Sequence, residues 1–108
     1  MTQTTAFVAT LAIEVVLVAA WARCRRAPPG LPTLVVAALG ANLLTHPLLW
    51  IADAALAPHL AIAVRWTLLE VTVVAVEAGV YAVAGMDRAR ALALTLVANA
   101  ASFAAGLA

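Results

Sequence analysis

The sequence predicts an all-α integral membrane protein, one four-helix bundle made of two helical hairpins with both termini outside. Three observations predict it. Of 108 residues 67% are hydrophobic and only 10% charged, where a soluble domain carries about a quarter charged residues. The apolar residues fall into four runs, each near the ~20 residues that cross a bilayer. Proline, glycine and arginine punctuate those runs, and lipid offers open sheet edges no hydrogen-bond partners.

The first run, Ala6–Trp21, is interrupted by Thr10 and Glu14 and stops at Arg23-Cys24-Arg25-Arg26, which predicts a helix over about 6–22. Ala27-Pro28-Pro29-Gly30-Leu31-Pro32 then forbids a continuous helix, because proline lacks the amide donor and clashes with the preceding turn. The second run, Thr33–Ile51, ends near Asp53, for a helix over about 33–52. Pro58-His59 marks the next turn, with Pro58 tolerated near the start of a helix. The third helix, about 60–84, is the longest and most polar. Gly85-Met86-Asp87-Arg88 makes the last turn, before a fourth helix over about 90–107. Met1-Thr2-Gln3-Thr4-Thr5 has neither a basic segment nor a small-residue cleavage site, so the first helix is expected to be retained. Residues 1–108 then form a single transmembrane domain.

Orientation follows from arginine, the only strong base. Arg23, Arg25, Arg26, Arg88 and Arg90 lie in the loops joining helices one to two and three to four, on one side. By the positive-inside rule that side is cytoplasmic. The lipid bilayer is thus the expected partner. A net charge of +1 without a clustered basic face argues against nucleic acid. The single cysteine, Cys24, has no internal disulfide partner.

The informative residues are polar ones inside the apolar runs. Glu14 sits mid-helix, where an acidic side chain costs ~3 kcal/mol on insertion scales. Glu70 and Glu77 lie two turns apart on one face of helix three, ~10 Å along the axis, and Thr67 and Tyr81 extend that stripe. Asn42, Thr45 and His46 share a face of helix two, with Pro47 expected to kink it. Thr95, Asn99, Ser102 and Gly106 form a stripe on helix four. Hydrocarbon satisfies none of these groups, so the four stripes are expected to turn inward and converge. Gly40, Ala41, Ala75, Ala78, Gly79, Ala98 and Ala101 would let backbones approach. Arg65 is a candidate partner for Glu70, or a residue that reaches to the headgroups.

Each feature also has a plain structural reading. Asn42, Thr45, Asn99 and Ser102 read first as interhelical hydrogen bonders. His46 reads as a structural hydrogen bonder, since a haem would want a second histidine and His59 lies in the outer turn. Trp21, Trp50 and Trp66 near helix ends read as interfacial anchors. Three intramembrane carboxyls are costly enough that Glu14, Glu70 and Glu77, with His46 as a relay, are the candidate proton- or cation-binding residues. No glycine-rich phosphate loop, paired-cysteine metal motif, HExxH or serine elbow occurs, so neither an enzyme, a metal nor a cofactor is expected. A loose parallel repeat relates Glu14, Arg23, Asn42 and Thr45 to Glu77, Arg88, Asn99 and Ser102, but the spacings are unequal and chance is the better explanation.

These positions resemble a pattern of small four-helix bacterial inner-membrane proteins. It reads as a glutamate in helix one (Glu14), then N-x-x-T-x-P in helix two (Asn42, Thr45, Pro47). Helix three follows with E-x6-E-x3-Y (Glu70, Glu77, Tyr81), and helix four with (S/T)-x3-N-x2-S-F-x2-G (Thr95, Asn99, Ser102, Phe103, Gly106). The resemblance spans nearly the whole chain. It implies the fold, an inner-membrane location and this choice of residues, and carries no activity. Length and a lone Glu14 in helix one also look like the small multidrug resistance transporters, whose equivalent carboxylate exchanges protons against cationic drugs. Two further glutamates in helix three depart from that family, so that likeness serves as analogy.

Three functions fit the residues. The first is proton- or cation-linked transport or conduction, which for so small a bundle suggests a homo-oligomer. The second is a non-catalytic subunit docking its polar stripes on other membrane subunits. The third is an accessory protein binding a lipid or pigment. The direction of Glu70 and Glu77 separates the first from the second.

Overall fold

A computed structural model of the chain describes residues 2–25 and 30–107. It contains four helices: α1 (Gln3–Arg25), α2 (Leu31–Leu56), α3 (Ile62–Val83) and α4 (Arg88–Leu107). Of the first arginine turn, expected between 22 and 33, α1 takes Arg23 to Arg25 and α2 begins at Leu31, and residues 26–29 lie outside the described residues. Three helices are long and apolar enough to cross a membrane: Thr4–Cys24, Leu31–Leu56 and Ile62–Val83. The expected fourth span is a helix of 20 residues that does not join them. Arg88 and Arg90 occupy its first turn, and Thr95, Asn99 and Ser102 lie along it.

Local chemistry explains the helix ends. The Thr2 hydroxyl accepts from the Thr5 amide at 3.1 Å, capping α1. Gly30 precedes α2 in extended conformation, with proline in the first turn, where its missing amide hydrogen is no loss. Pro58 lies in the turn before α3, and α2 continues through Pro47. The α3–α4 turn closes tightly. Gly85 adopts φ 114°, its amide donates to the Ala82 carbonyl at 3.1 Å, and the Met86 amide donates to Tyr81 at 3.0 Å. That paired arrangement satisfies carbonyls the helix end would leave open. Tyr81 and Met86 then meet in the core, the apolar contact that accompanies such a turn. Asp87 opens α4 by accepting from the Arg90 amide at 3.3 Å.

Each helix packs on its neighbours in the order α1–α2–α3–α4–α1, which leaves α1 opposite α3 across the centre. The bundle is elongated, 45 × 24 × 19 Å. Its two halves differ. At the Arg88 end an apolar core brings together Val18, Leu34, Ala37, Ala38, Tyr81, Met86, Ala91 and Leu94, with Trp21 packed against it. Small residues contribute unevenly to close packing. Ala41 and Ala98 are buried, whereas Gly40 and Gly79, expected to admit a neighbouring backbone, face open space where a Cβ would meet no atom.

Candidate functional site

The polar residues gather at mid-bundle, where α1 and α3 are bridged by long side chains instead of backbone contact. Glu14 is buried and accepts two hydrogen bonds: Asn42 Nδ2 donates to Oε2 at 2.7 Å and Tyr81 Oη donates to Oε1 at 2.8 Å. The second hydrogen of the Asn42 amide goes to the Ala38 carbonyl at 2.8 Å, so both of its N–H groups are used. Glu77, also buried, is held more loosely. Asn99 Nδ2 donates to its Oε2 at 3.3 Å and to the Thr95 carbonyl at 2.9 Å. Thr45 Oγ1 lies 3.4 Å from Glu77 Oε1 and 2.9 Å from the Ala41 carbonyl. A hydroxyl has one hydrogen, and the shorter contact claims it. Asn42 and Tyr81, which hold Glu14, stand one helical turn from Thr45 and Glu77 on α2 and α3, so the Glu14 and Glu77 carboxyls are neighbours at adjacent heights.

Above this cluster, in the half of the bundle nearer the 57–61 turn, lies a cavity of about 340 Å³. All four helices line it, through residues such as Thr10, His46, Asp53, Glu70, Ser102 and Phe103. Asn42, Thr45, Glu77 and Asn99 form its floor, whereas Glu14 and Tyr81 stand behind that floor and do not line it. The cavity therefore ends on one member of a carboxyl pair, and the apolar core closes the bundle beyond the other. Comparison with known protein families, curated proteins and solved structures gives no match. Any reading of the site must come from its own geometry.

That geometry brings together Glu14, Asn42, Thr45, Glu77, Tyr81 and Asn99, and sets the other expected residues around them. His46 is buried on the cavity wall; Trp50 Nε1 donates to its Nε2 at 3.1 Å and the Phe7 ring packs against it, tilted by 53°, at a centroid distance of 5.1 Å. With Nε2 accepting, a neutral ring keeps its own hydrogen on Nδ1. Trp50 and Trp66, read as interfacial anchors, line the same cavity, and Trp66 meets Phe103 edge to face at 6.2 Å. Ser102 Oγ and Thr95 Oγ1 are buried oxygens without a hydrogen-bond partner among the described residues.

Three expectations need correction. Glu70, expected to converge with the other two carboxyls, is half-buried on the cavity wall apart from the cluster; the carboxyl beside Glu77 is Glu14. Two helical turns hold Glu70 and Glu77 apart along one axis, while Glu14 reaches across the bundle at the right height. Arg65 is not the partner of Glu70. Its Nε lies 2.6 Å from Asp53 Oδ1, and its Nη1 donates to the Leu60 carbonyl at 3.3 Å. Asp53 and Arg65 stand six residues to either side of His59, so an antiparallel hairpin places them level. That symmetry about the turn was available in the sequence. Thr67 does not join the cluster either: it is exposed and donates to the Ala63 carbonyl of its own helix at 2.7 Å.

Proposed function

We propose that the chain is an integral membrane carrier of four spans that links movement of a proton to a cation bound in its cavity. One observation carries this reading: the cavity ends on the buried Glu77–Glu14 carboxyl pair, and an apolar plug lies beyond it. A continuous channel would want no plug. A carrier needs a path open on one side and closed on the other in each of its states. Buried carboxyls are costly in lipid, and binding a proton or cation is the common reason a membrane protein keeps them. We take α4 as the fourth span because it packs against both α3 and α1 and closes the ring. With Arg23, Arg88 and Arg90 at one end, the positive-inside rule puts the plug on the cytoplasmic side and the cavity on the outer side.

Docking as a subunit of a larger complex would call for polar stripes aimed at a partner. Glu77 turns inward instead, and the outward hydroxyls of Thr67 and Thr72 are satisfied within α3.

The test is flux through purified protein in liposomes carrying an internal pH dye, under an imposed proton, sodium or potassium gradient. The parent protein is expected to move protons well above protein-free vesicles, and Glu77→Gln to cut that flux at least tenfold while its circular dichroism stays helical. Flux no greater than in empty vesicles, or equal in Glu14→Gln, Glu70→Gln and Glu77→Gln variants, overturns the reading.

A further inference from the structure

The hydrogen-bond inventory separates the roles of the two paired carboxyls. Glu14 and Glu77 are both buried, and their hydrogen-bond partners Asn42, Tyr81, Asn99 and Thr45 include no cation, so ionising both carboxyls at once is costly and one proton in the pair relieves it. The donors already supplied decide where it sits. Both Glu14 oxygens accept, from Asn42 and Tyr81, at 2.7 and 2.8 Å, lengths suited to a charged acceptor. Glu77 receives one long bond, 3.3 Å from Asn99, because the hydrogen of Thr45 is directed to Ala41. A poorly supplied carboxyl is the one better left neutral, since an unsatisfied buried charge is the costliest arrangement. The second fact is access: Glu77 lines the cavity and Glu14 does not.

We propose that Glu77 is the proton-exchanging group, and that Glu14 is a fixed anionic acceptor that positions it without exchanging with the cavity itself. The assignment rests on the carrier reading and divides the labour within its site. The step balances simply. The Oε–H bond of Glu77 breaks and the proton passes to water in the cavity. A monovalent cation from the cavity takes its place against the Glu77 carboxylate, so one positive charge leaves as one arrives. The ionisable groups around Glu77 are Glu14 from α1, His46 from α2 and Glu70 and Tyr81 from α3, while among the described residues α4 brings neutral groups, the Asn99 amide and the Ser102 hydroxyl. Asp53 is matched by Arg65 and is not counted among them.

The experiment is infrared difference spectroscopy of the full chain in lipid nanodiscs, following the carbonyl stretch of protonated carboxyls on titration with base and with sodium or potassium chloride. The parent is expected to show a band that bleaches as the proton leaves, either with rising pH or on cation addition. Glu77→Gln should abolish it. Glu14→Gln should retain a band, shifted in frequency, and Glu70→Gln should leave it where it was. If Glu77→Gln does not fold, Tyr81→Phe serves: it takes one donor from Glu14 and should move the band. A band lost in Glu14→Gln and kept in Glu77→Gln, or unmoved in Glu14→Gln and Tyr81→Phe, overturns the assignment. Outcomes for the two proposals separate cleanly. Expected band behaviour with no flux in liposomes sinks the carrier and spares the division of roles, and the reverse result does the opposite.

Discussion

The Tyr81 hydroxyl donates to Glu14 Oε1 at 2.8 Å, tying α3 to α1 across the diagonal of the bundle where their backbones do not meet. Tyr81 serves two functions in one side chain. Its ring packs in the apolar core with Leu34 and Met86, and its oxygen completes the polar cluster above. Tyr81→Phe keeps the first and deletes the second. We expect a loss of about 1–2 kcal/mol, within the range for hydrogen bonds inside membranes and for an acceptor left short of a donor. Unfolding in mixed micelles, parent against variant, measures it, and equal midpoints would show the bond contributes nothing.

Gly85 holds φ 114°, where an L side chain is strained, and two turn hydrogen bonds depend on that conformation. Replacing it with alanine should cost about 1–2 kcal/mol, because Cβ meets the neighbouring carbonyl. Gly40→Ala and Gly79→Ala make good controls. A Cβ at either meets no atom, and alanine is the better helix former by up to about 1 kcal/mol, so both should hold or raise stability. A thermal scan in detergent that ranks Gly85→Ala with the controls would refute the turn geometry.

Thr95 is buried with its hydroxyl oxygen unpartnered among the described residues. Removing an unsatisfied buried polar group is worth about 1 kcal/mol or more. Thr95→Val, similar in shape, should therefore match or exceed the parent in stability, while Asn99→Leu, which strips a donor from Glu77, should fall below it. A clear loss in Thr95→Val would mean the hydroxyl has a partner, such as a bound water.

Reporter fusions check the topology drawn from arginine. A fusion after Arg90 should report cytoplasm, and one at His59 the opposite side. The same side at both positions would break the hairpin in the membrane and remove α3 as a span.

The sequence by itself determined four helices and the turns at Pro58 and Gly85, and it singled out Glu14, Asn42, Thr45, Glu77, Tyr81 and Asn99 among the polar residues. Those are local matters. An apolar run of bilayer length, an arginine-rich break, or a turn at Gly85-Met86-Asp87-Arg88 is written within a few neighbouring positions. Spacing of three, four and seven likewise placed Glu70 with Glu77, and Asn42 with Thr45 and His46, on shared helix faces.

Only the tertiary structure decided which carboxyl meets which, that Arg65 answers Asp53, and that one half of the bundle is a cavity and the other a plug. Those outcomes depend on how far each helix is rotated and slid against the rest. In a soluble bundle, hydropathy reports the rotation, because one face is apolar and the other wet. Here exposed residues such as Val36, Leu43 and Leu96 are as apolar as buried Leu34 and Leu94, so the pattern carries little rotational signal. The few polar side chains supply what signal there is, and they satisfy one another only once all four helices are in place.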